Sequence, residues 1–272
     1  MHRCTNLKCL HFADDTTAFA RDNTIEELSS TVNSELAKID EWLCANRLSL
    51  NVSKSAVAIY TNKPINDPPV IKIRNILLKL ECSVKFLGIT LDNKLSFSDH
   101  ISEVCNKVSK SIAVMSKLSH FVPASVIRKL YMSLVYPYVT YGIEVWGASS
   151  KTQLARLSRL LDRCVRLMGA GVVDGVDPYG QLGLMSLNKI YTYFTLVRFF
   201  KYVRFNSAPY FGNILLSCSA LHEINTRFSN NQNFNVPPIH CSKFLQSFLF
   251  NSIKFWNRIP VCLLYTSDAA DE

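Results

Sequence analysis

Two adjacent carboxylates, Asp14 and Asp15, are the side chains of this sequence best suited to bind a metal ion. They lie between two short apolar runs, residues 7–12 and 16–20, and this pattern predicts a hairpin with the aspartates in its turn. Magnesium prefers hard oxygen ligands, and phosphoryl transfer often uses two ions about 3.5–4 Å apart. A bare Asp-Asp pair is also an ordinary solvated turn, and one such turn cannot hold both ions. The chemistry therefore depends on the elements that position the pair.

The segments after the hairpin predict one long helix followed by short strands. Thr24 and Glu27 form a capping box, and apolar residues then recur every three or four positions as far as Leu43. This pattern predicts an amphipathic helix that packs on a sheet and ends before Asn46. The strands predicted after it are residues 56–60, 70–73, 76–80 and 84–91, with a loop at 63–69.

The order of four motifs in this region is far more specific evidence of a family than any one of them alone. An Asp-Asp hairpin, a long helix, the segment Asn51-x-x-Lys54 and the hairpin Phe86-Leu87-Gly88 follow one another. This order resembles the reverse transcriptase of non-LTR retrotransposons, the LINE-like elements that include jockey-like ones. Two later segments are similar to that family as well, namely residues 134–147, which end in Tyr-Gly-x-x-x-Trp-Gly, and residues 255–260, which contain Trp-Asn-x-x-Pro. The resemblance covers nearly the whole chain.

The resemblance implies a right-hand polymerase that copies RNA into DNA with Mg²⁺. Its expected partners are an RNA template, a DNA primer or RNA-DNA duplex, and deoxynucleoside triphosphates. By the match to the motif, Asp14 is expected to be a direct metal ligand and Asp15 a weaker or indirect one. Lys54 is expected to protonate or neutralise the departing pyrophosphate, and an ordinary surface lysine is an equally good interpretation. Phe12 stands where related enzymes often have tyrosine.

The sequence is expected to be incomplete at both ends. The family has fingers, and an earlier strand with a further metal-binding aspartate, before the Asp-Asp hairpin, whereas ten residues precede His11 here. Loss of such a carboxylate should slow phosphoryl transfer by several orders of magnitude. We therefore predict that this chain alone is inactive as a polymerase. Residues 262–272 resemble the translation of a transposon-based sequencing adaptor, so we interpret them as an artefact and exclude them from functional reasoning.

The charge of the chain favours a polyanionic partner. Lysine and arginine outnumber aspartate and glutamate by 30 to 21, and three of the acids lie in residues 262–272. Between Lys151 and Met168, apolar residues recur at helical spacing and predict a helix with one buried face. Its opposite face carries four arginines, Arg156, Arg159, Arg163 and Arg166. Such a stripe suits contact with successive phosphates, and a solubilising face is the alternative; we favour contact with nucleic acid.

The second half of the chain predicts helices. From residue 98 the apolar period is 3.6, which predicts helices over 98–118, from Pro123 towards Tyr136, and over 187–204. The stretch 169–183 is interpreted as a connector, because it follows a helix and lacks the Gly-Lys-Ser/Thr of a nucleotide loop. Asparagine-rich residues 225–238 predict an irregular loop.

These patterns together predict an α+β chain. Residues 1–97 are predicted to form a partial polymerase palm, an antiparallel sheet with a packed helix. A helical thumb-like region at 98–168 and a helical C-terminal region at 169–261 follow, and the adaptor-like residues 262–272 complete the sequence.

Zinc and a membrane are not expected as partners. Nine cysteines include no Cys-x-x-Cys pair, and neither Cys218 with His222 nor His240-Cys241 has a second ligand pair at finger-like spacing. No apolar stretch reaches the roughly 20 residues that cross a bilayer. Scattered thiols without a secretory signal suit a reducing compartment, so the cytoplasm and nucleus are the expected locations.

Three functional interpretations remain open at this point. The first is a fragment of an RNA-directed DNA polymerase whose intact form uses two-metal nucleotidyl transfer. The second is a non-catalytic nucleic-acid-binding module built on the arginine stripe. The third is a domesticated structural remnant in which the Asp-Asp turn has lost its function.

Overall fold

The computed structural model describes residues 5–61, 64–65, 67–169, 177–205, 233–238 and 241–260. The chain divides into two compact units, Met1–Leu95 and Ser96–Glu272. Among the described residues the first unit combines a long helix with short strands, and the second is mainly helical. This content agrees with the predicted α+β class. None of the described helices is both long and apolar enough to cross a membrane.

The long helix α1 (Ile25–Ala45) organises the first unit. Its cap is the one that the sequence predicts, since the Thr24 hydroxyl accepts a hydrogen bond from the Glu27 amide at 3.2 Å. The apolar side of α1 contributes to a small core whose buried members are Leu7, Cys9, Ile39 and Leu43. The residues that precede and begin the first strand therefore pack directly on α1.

The strands of this unit form separate pairs. They are β1 (Lys8–Phe12), β2 (Asp15–Phe19), β3 (Ala56–Val57), β4 (Lys72–Ile73), β5 (Ile76–Leu77), β6 (Lys79–Leu80), β7 (Ser83–Phe86) and β8 (Ile89–Asp92). The pairs β1-β2, β4-β5 and β7-β8 are antiparallel, and β3-β6 is parallel. The single antiparallel sheet that the sequence predicts is therefore not formed by the described residues. Strands of two residues form too few ladder hydrogen bonds to join the pairs into a wider sheet.

Two tight turns decide where the strand predictions succeed. Arg74 and Asn75 both have positive φ and fold β4 back onto β5, and the two strands lie within the predicted strands 70–73 and 76–80. Leu87 and Gly88 also have positive φ, and they divide the segment predicted as one strand at 84–91 into the hairpin β7-β8. The Phe-Leu-Gly hairpin implied by the family resemblance is confirmed, and the single strand is wrong.

The second unit is built from helices. Among the described residues they are α2 (Ser98–Leu118), α3 (Ala124–Leu134), α4 (Tyr136–Thr140), α5 (Ile143–Trp146), α6 (Lys151–Leu167), α7 (Pro178–Gln181), α8 (Leu187–Phe205) and α9 (Phe248–Trp256), with a 3₁₀ helix at Ser242–Gln246. The predicted helices at 98–118, 151–168 and 187–204 are confirmed to within one residue at each end, and the helix predicted from Pro123 towards Tyr136 ends at Leu134. Along α2 the predicted inner face is buried except at Leu118, which is 36% exposed in the last turn.

The segment of residues 134–147 is a packing element. Gly142 has a φ of +59° in the tight connection between α4 and α5. Trp146 is fully buried, and its Nε1 donates to the Tyr141 carbonyl at 3.0 Å. Gly147 lies so close to α8 that a Cβ at this position would be 2.4 Å from Cδ2 of Tyr191. The glycine is therefore explained by space rather than by backbone conformation.

Helices α8 and α9 share an aromatic core whose buried members are Phe199, Leu249, Ile253 and Trp256. Asn257 holds a separate segment beside this core. Its Oδ1 accepts from the Phe234 amide at 3.0 Å, and its Nδ2 donates to the Phe234 carbonyl at 2.9 Å. One side-chain amide thus pairs with both backbone groups of a single residue, which gives the Trp-Asn motif a structural role.

Some predictions fall outside the described residues. These are the adaptor-like residues 262–272, the pair Cys218 and His222, His240, and most of the loop at 225–238. Residues 170–176 of the predicted connector also lie outside them. The described helices on both sides of that connector belong to one compact unit. The identities palm, thumb-like region and C-terminal region stay predictions.

Candidate metal-binding hairpin and nucleic-acid interface

The Asp-Asp pair lies at the tip of a two-stranded hairpin, as the sequence predicts. The strands β1 and β2 pair in antiparallel register, and the last pair is Phe12 opposite Asp15. Ala13 and Asp14 form the two-residue turn, and Ala13 has a φ of +53°. A positive φ costs a residue with a Cβ about 1–2 kcal/mol. A two-residue hairpin turn requires positive φ at its first position, so this strain follows from the tight turn that presents the aspartates.

The register gives the two faces of the hairpin different environments. Cys9 is buried against α1, so the beginning of β1 faces the helix, whereas its partner Ala18 on β2 is exposed. Asp15 belongs to the opposite, outer face. The large apolar residues of that outer face are Leu10, Phe12 and Phe19, which are 47%, 65% and 43% exposed. The Asp15 carboxylate therefore stands beside an exposed apolar strip rather than beside the core.

A buried carboxylate on α1, Glu35, holds the segment that leads into β1. Its Oε2 accepts hydrogen bonds from the Thr5 hydroxyl at 2.7 Å and from the Asn6 amide at 2.6 Å. Its Oε1 accepts one from the Lys38 ammonium at 2.6 Å. The Lys38 contact and then the two hydrogen bonds from the segment lower the pKa of Glu35 to about 2. Glu35 therefore remains charged at neutral pH although only 5% of its surface is exposed.

Sequence reasoning missed Glu35. A glutamate within a helical pattern is ordinarily solvent-exposed. Its partners Thr5 and Asn6 lie 30 and 29 residues away in the sequence, so no local pattern connects them to Glu35. The only local signal is Lys38 three residues later, a spacing that many exposed ion pairs share. The role of Glu35 emerges only when the strand is placed on the helix.

The two aspartates fit Mg²⁺ by ligand type but not by number. Both are exposed, and in the described part of the chain neither carboxylate makes a hydrogen bond or an ion pair. Carboxylate oxygens are ligands that Mg²⁺ prefers, and these oxygens are available to bind it. No group of three or more His, Cys, Asp or Glu side chains comes together among the described residues. The hairpin can thus contribute ligands, and a two-ion site needs others to complete it.

Lys54, Asp14 and Asp15 are all described by the structure, and Lys54 forms no ion pair with either aspartate. Lys54 ends a 3₁₀ helix, Val52–Lys54, just before β3, and its side chain is exposed. A role beside the departing pyrophosphate stays a prediction.

The structure places the four predicted arginines on one face of α6. The helix buries Leu157, Leu161, Cys164 and Val165. It exposes Arg156, Arg159, Arg163 and Arg166, which are called the arginine stripe below. An α-helix turns by about 100° and rises by about 1.5 Å per residue. The four arginines therefore lie within a sector of about 80° around the helix axis, and successive arginines are about 4.5–6 Å apart along that axis.

No acid neutralises this stripe within the described structure. None of the ion pairs formed there involves its arginines. Asp162, the one acid of α6, instead accepts a hydrogen bond from the Tyr179 hydroxyl at 2.7 Å. Arg156 donates to the neutral Asn106 Oδ1 of α2 at 3.2 Å. The guanidinium groups therefore keep a charge that suits contact with phosphates.

Comparison with known proteins finds relatives of the class that the sequence motifs indicate. The chain is similar to RNA-directed DNA polymerases of non-LTR retrotransposons, which confirms the resemblance predicted from the motifs. The RNA-directed DNA polymerase from mobile element jockey of Drosophila melanogaster is 28% identical over 160 residues, which are 57% of this chain and 17% of that protein. Its counterpart from Drosophila funebris is 29% identical over 162 residues, with the same two shares.

A third relative is the probable RNA-directed DNA polymerase from transposon X-element of Drosophila melanogaster. It is 25% identical over 161 residues, which are 58% of this chain and 18% of that protein. The match thus spans less than a fifth of the length of the curated relatives. No protein-family profile and no solved structure matches the chain.

Proposed function

We propose that this chain is part of an RNA-directed DNA polymerase of a non-LTR retrotransposon, and that its Asp14-Asp15 turn contributes metal ligands for nucleotidyl transfer. The observation that carries the proposal is the strained, exposed turn, in which Ala13 at positive φ presents two adjacent carboxylates. Similarity to the jockey polymerases supports an RNA template, a DNA primer and deoxynucleoside triphosphates as partners.

Each part of the first unit has a separate task in this proposal. Bound Mg²⁺ would neutralise the triphosphate and favour the attacking hydroxyl in its ionised form. Asp14 offers a carboxylate from the turn, and Asp15 offers a second one from the outer face of β2, in direct or indirect contact. Glu35 fixes where β1 begins and so positions the hairpin on α1. Lys54 neutralises charge on the departing pyrophosphate.

Binding of Mn²⁺ tests the metal assignment. Mn²⁺ accepts the same carboxylate oxygens as Mg²⁺, and its electron paramagnetic resonance signal in water is lost on binding. We expect the chain to deplete this signal and the double variant Asp14→Asn, Asp15→Asn to leave it near the level without protein. The matched control is Asp22→Asn, Asp67→Asn, which removes the same charge from two other exposed acids of the first unit. Equal binding by the two double variants would refute the assignment.

Primer extension on an RNA template tests the activity of the chain itself. We expect no extension with Mg²⁺ or Mn²⁺, because the described carboxylates do not complete a site for two ions. Extension that is abolished by Asp14→Ala would contradict this expectation and show that the chain holds a complete site.

A second candidate function, sequence-independent binding of nucleic acid by the second unit, rests on the uncompensated arginine stripe. Each phosphate contact that is lost should reduce the slope of log affinity against log salt by about 0.9 for a DNA duplex. Replacing all members of the stripe by glutamine should therefore reduce that slope by up to about 3.6. Fluorescence anisotropy over a range of salt concentrations measures the slope.

The control removes the same charge from other helices of the second unit. Its substitutions are Lys129→Gln, Lys201→Gln, Lys243→Gln and Lys254→Gln. We expect this variant to retain most of the salt dependence, since contact with phosphates requires placement as well as charge. Equal slopes for the two variants would mean that net charge alone drives binding and would refute a role for the stripe.

A further inference from the structure

One face of α1 holds the hairpin β4-β5 through polar contacts. The Asn33 side chain pairs with the backbone at the start of β4, since its Oδ1 accepts from the Lys72 amide and its Nδ2 donates to the Val70 carbonyl, both at 2.8 Å. Both carboxylate oxygens of Asp40 accept from Nε of Arg74 at 2.8 Å. Asn33 and Asp40 lie about 20° apart around α1, so the helix holds the hairpin at two points of one face.

The two points have matching spacing on the helix and on the strand. From Asn33 to Asp40 the helix rises by about 10 Å, and three residues of extended chain, from Ile71 to Arg74, cover about the same length. Strand β4 therefore runs along α1 in the same direction. Arg74 has a φ of +48°, which is unfavourable for a residue with a Cβ. Its ion pair with Asp40 therefore stabilises the turn as well as its position.

The hairpin β4-β5 in turn holds the segment that carries Lys54. Strand β6 follows β5 after one residue and pairs with β3 in parallel register, with Ala56 opposite Lys79. The Glu81 amide extends this ladder, because it donates to the Val57 carbonyl at 2.8 Å. Strand β3 begins two residues after Lys54. The position of Lys54 therefore depends on the contacts between the hairpin and α1.

Asn51 ties Lys54 to the strand that follows it. Its carbonyl accepts from the Lys54 amide at 3.2 Å and from the Ser55 hydroxyl at 3.0 Å. Its side-chain oxygen accepts from the Ser53 hydroxyl at 2.7 Å. These hydrogen bonds close the 3₁₀ turn immediately before β3, so a displacement of β3 moves Lys54 with it.

Another face of α1 holds the hairpin that carries the aspartates. Glu35, which binds the segment leading into β1, lies about 160° around the helix from Asn33. Helix α1 is therefore a common support for β1-β2 and for β4-β5. Its polar contacts on the two faces determine how far Lys54 lies from Asp14 and Asp15.

We propose that Asn33 and Asp40 are positioning residues that set the distance between Lys54 and the metal ion at the Asp14-Asp15 turn. This inference rests on the proposed function and adds two residues that act on it through the strands. A lysine that neutralises the departing pyrophosphate has to lie close to the ion that binds the triphosphate. A displacement of about 1 Å can reduce the rate of such a reaction by about 100-fold. Contacts that fix the strand before Lys54 are therefore contacts that fix its chemistry.

The experiment measures paramagnetic broadening by Mn²⁺ in the isotope-labelled full chain. Broadening falls steeply with distance, so the ratio of the broadening at the Lys54 amide to that at the Asp14 amide reports how far Lys54 lies from the bound ion. We expect Asn33→Ala, Asp40→Ala to change this ratio and to leave the broadening of residues 12–16 as it is.

The matched control is Ser30→Ala, Glu41→Ala, which also removes one neutral polar side chain and one carboxylate from the exposed surface of α1. Neither control residue forms a hydrogen bond or an ion pair within the described part of the chain. We expect the control to keep the ratio of the unaltered chain. Circular dichroism verifies that each variant retains its helix content.

A charge swap tests the same contact without deleting it. Asp40→Arg alone places two guanidinium groups together and should change the ratio. Adding Arg74→Asp restores an ion pair, and aspartate tolerates the positive φ at this position. The combined variant should therefore return the ratio towards that of the unaltered chain, which a general loss of stability would not do.

The outcomes separate this inference from the proposed function. A ratio that changes in the alanine variant, stays constant in the control and recovers in the charge swap supports the positioning role. An unchanged ratio, a ratio that does not recover, or a Lys54 signal that the ion does not broaden overturns the inference, while the metal site at the turn stands. If residues 12–16 are not broadened in the unaltered chain, the proposed metal site fails and the inference fails with it.

Discussion

Gly147→Ala should destabilise the second unit although the backbone at this position is ordinary. Gly147 has φ of −69° and ψ of −11°, which alanine adopts without strain. The obstacle is space, because an added Cβ would lie 2.4 Å from Cδ2 of Tyr191 and 2.5 Å from the Ile143 carbonyl oxygen. Tyr191 is only 5% exposed, and the carbonyl belongs to the backbone, so neither neighbour can move without disturbing the packing of α5 and α8.

The expected cost follows from these distances. Overpacking of a tight interior destabilises a protein by about 1–3 kcal/mol. Where there is room, replacing glycine by alanine stabilises by about 0.4–1 kcal/mol, because the unfolded chain loses entropy. Gly180 provides such a comparison, since the atoms nearest to an added Cβ there are 3.8–4.0 Å away. We expect Gly147→Ala to lower the free energy of unfolding and Gly180→Ala to leave it unchanged or to raise it.

Urea unfolding followed by tryptophan fluorescence measures this difference. Trp146 is fully buried next to Gly147 and reports on the region directly. Tyr191→Leu, introduced into the Gly147→Ala variant, should recover part of the loss, because it removes the ring that the new methyl group meets. Equal free energies of unfolding for Gly147→Ala and Gly180→Ala would refute the conclusion that residues 134–147 are a tightly packed element.

Three other side chains give predictions from their hydrogen bonds. The folded pKa of Glu35, about 2, lies below its ordinary value of 4.5, so its stabilisation is present above pH 4.5 and is lost as the pH falls towards 2. Glu35→Gln should therefore flatten the pH dependence of unfolding in this range, and a dependence equal to that of the unaltered chain would contradict the assignment. Asn257→Asp keeps the acceptor and loses the donor to Phe234, and we expect a loss of about 1–3 kcal/mol in urea unfolding that Asn235→Asp does not show. Thr24→Ala should cost about 1 kcal/mol, whereas Thr24→Ser should retain most of the cap, as thermal unfolding would show.

The helices could be predicted because their signals are local. The cap at Thr24 lies within four residues of its partner, and the inner face of α2 repeats with the helical period over its whole length. The arginine stripe could be predicted for the same reason, since residues three and four apart on a helix are neighbours whatever the tertiary structure. The Asp-Asp turn could also be predicted, because two short strands flank it directly in the sequence.

The rest depends on contacts between segments distant in sequence. The pairing of β3 with β6 joins strands more than 20 residues apart, as Ala56 opposite Lys79 shows, and no local pattern specifies it. Glu35 becomes significant only through Thr5 and Asn6. The hydrogen bond between Arg156 and Asn106 could be seen only after α6 was placed beside α2. Sequence periodicity therefore supplied the faces of the helices, and packing supplied their neighbours.

The central claim is that the tip of the hairpin binds a divalent metal ion. Nuclear magnetic resonance of the isotope-labelled chain with traces of Mn²⁺ tests it most directly, because paramagnetic broadening falls steeply with distance from the ion. We predict that the amide signals of residues 12–16 broaden first and that Asp14→Asn prevents this broadening. Broadening that begins elsewhere in the chain, or that is unchanged in the variant, would contradict the account.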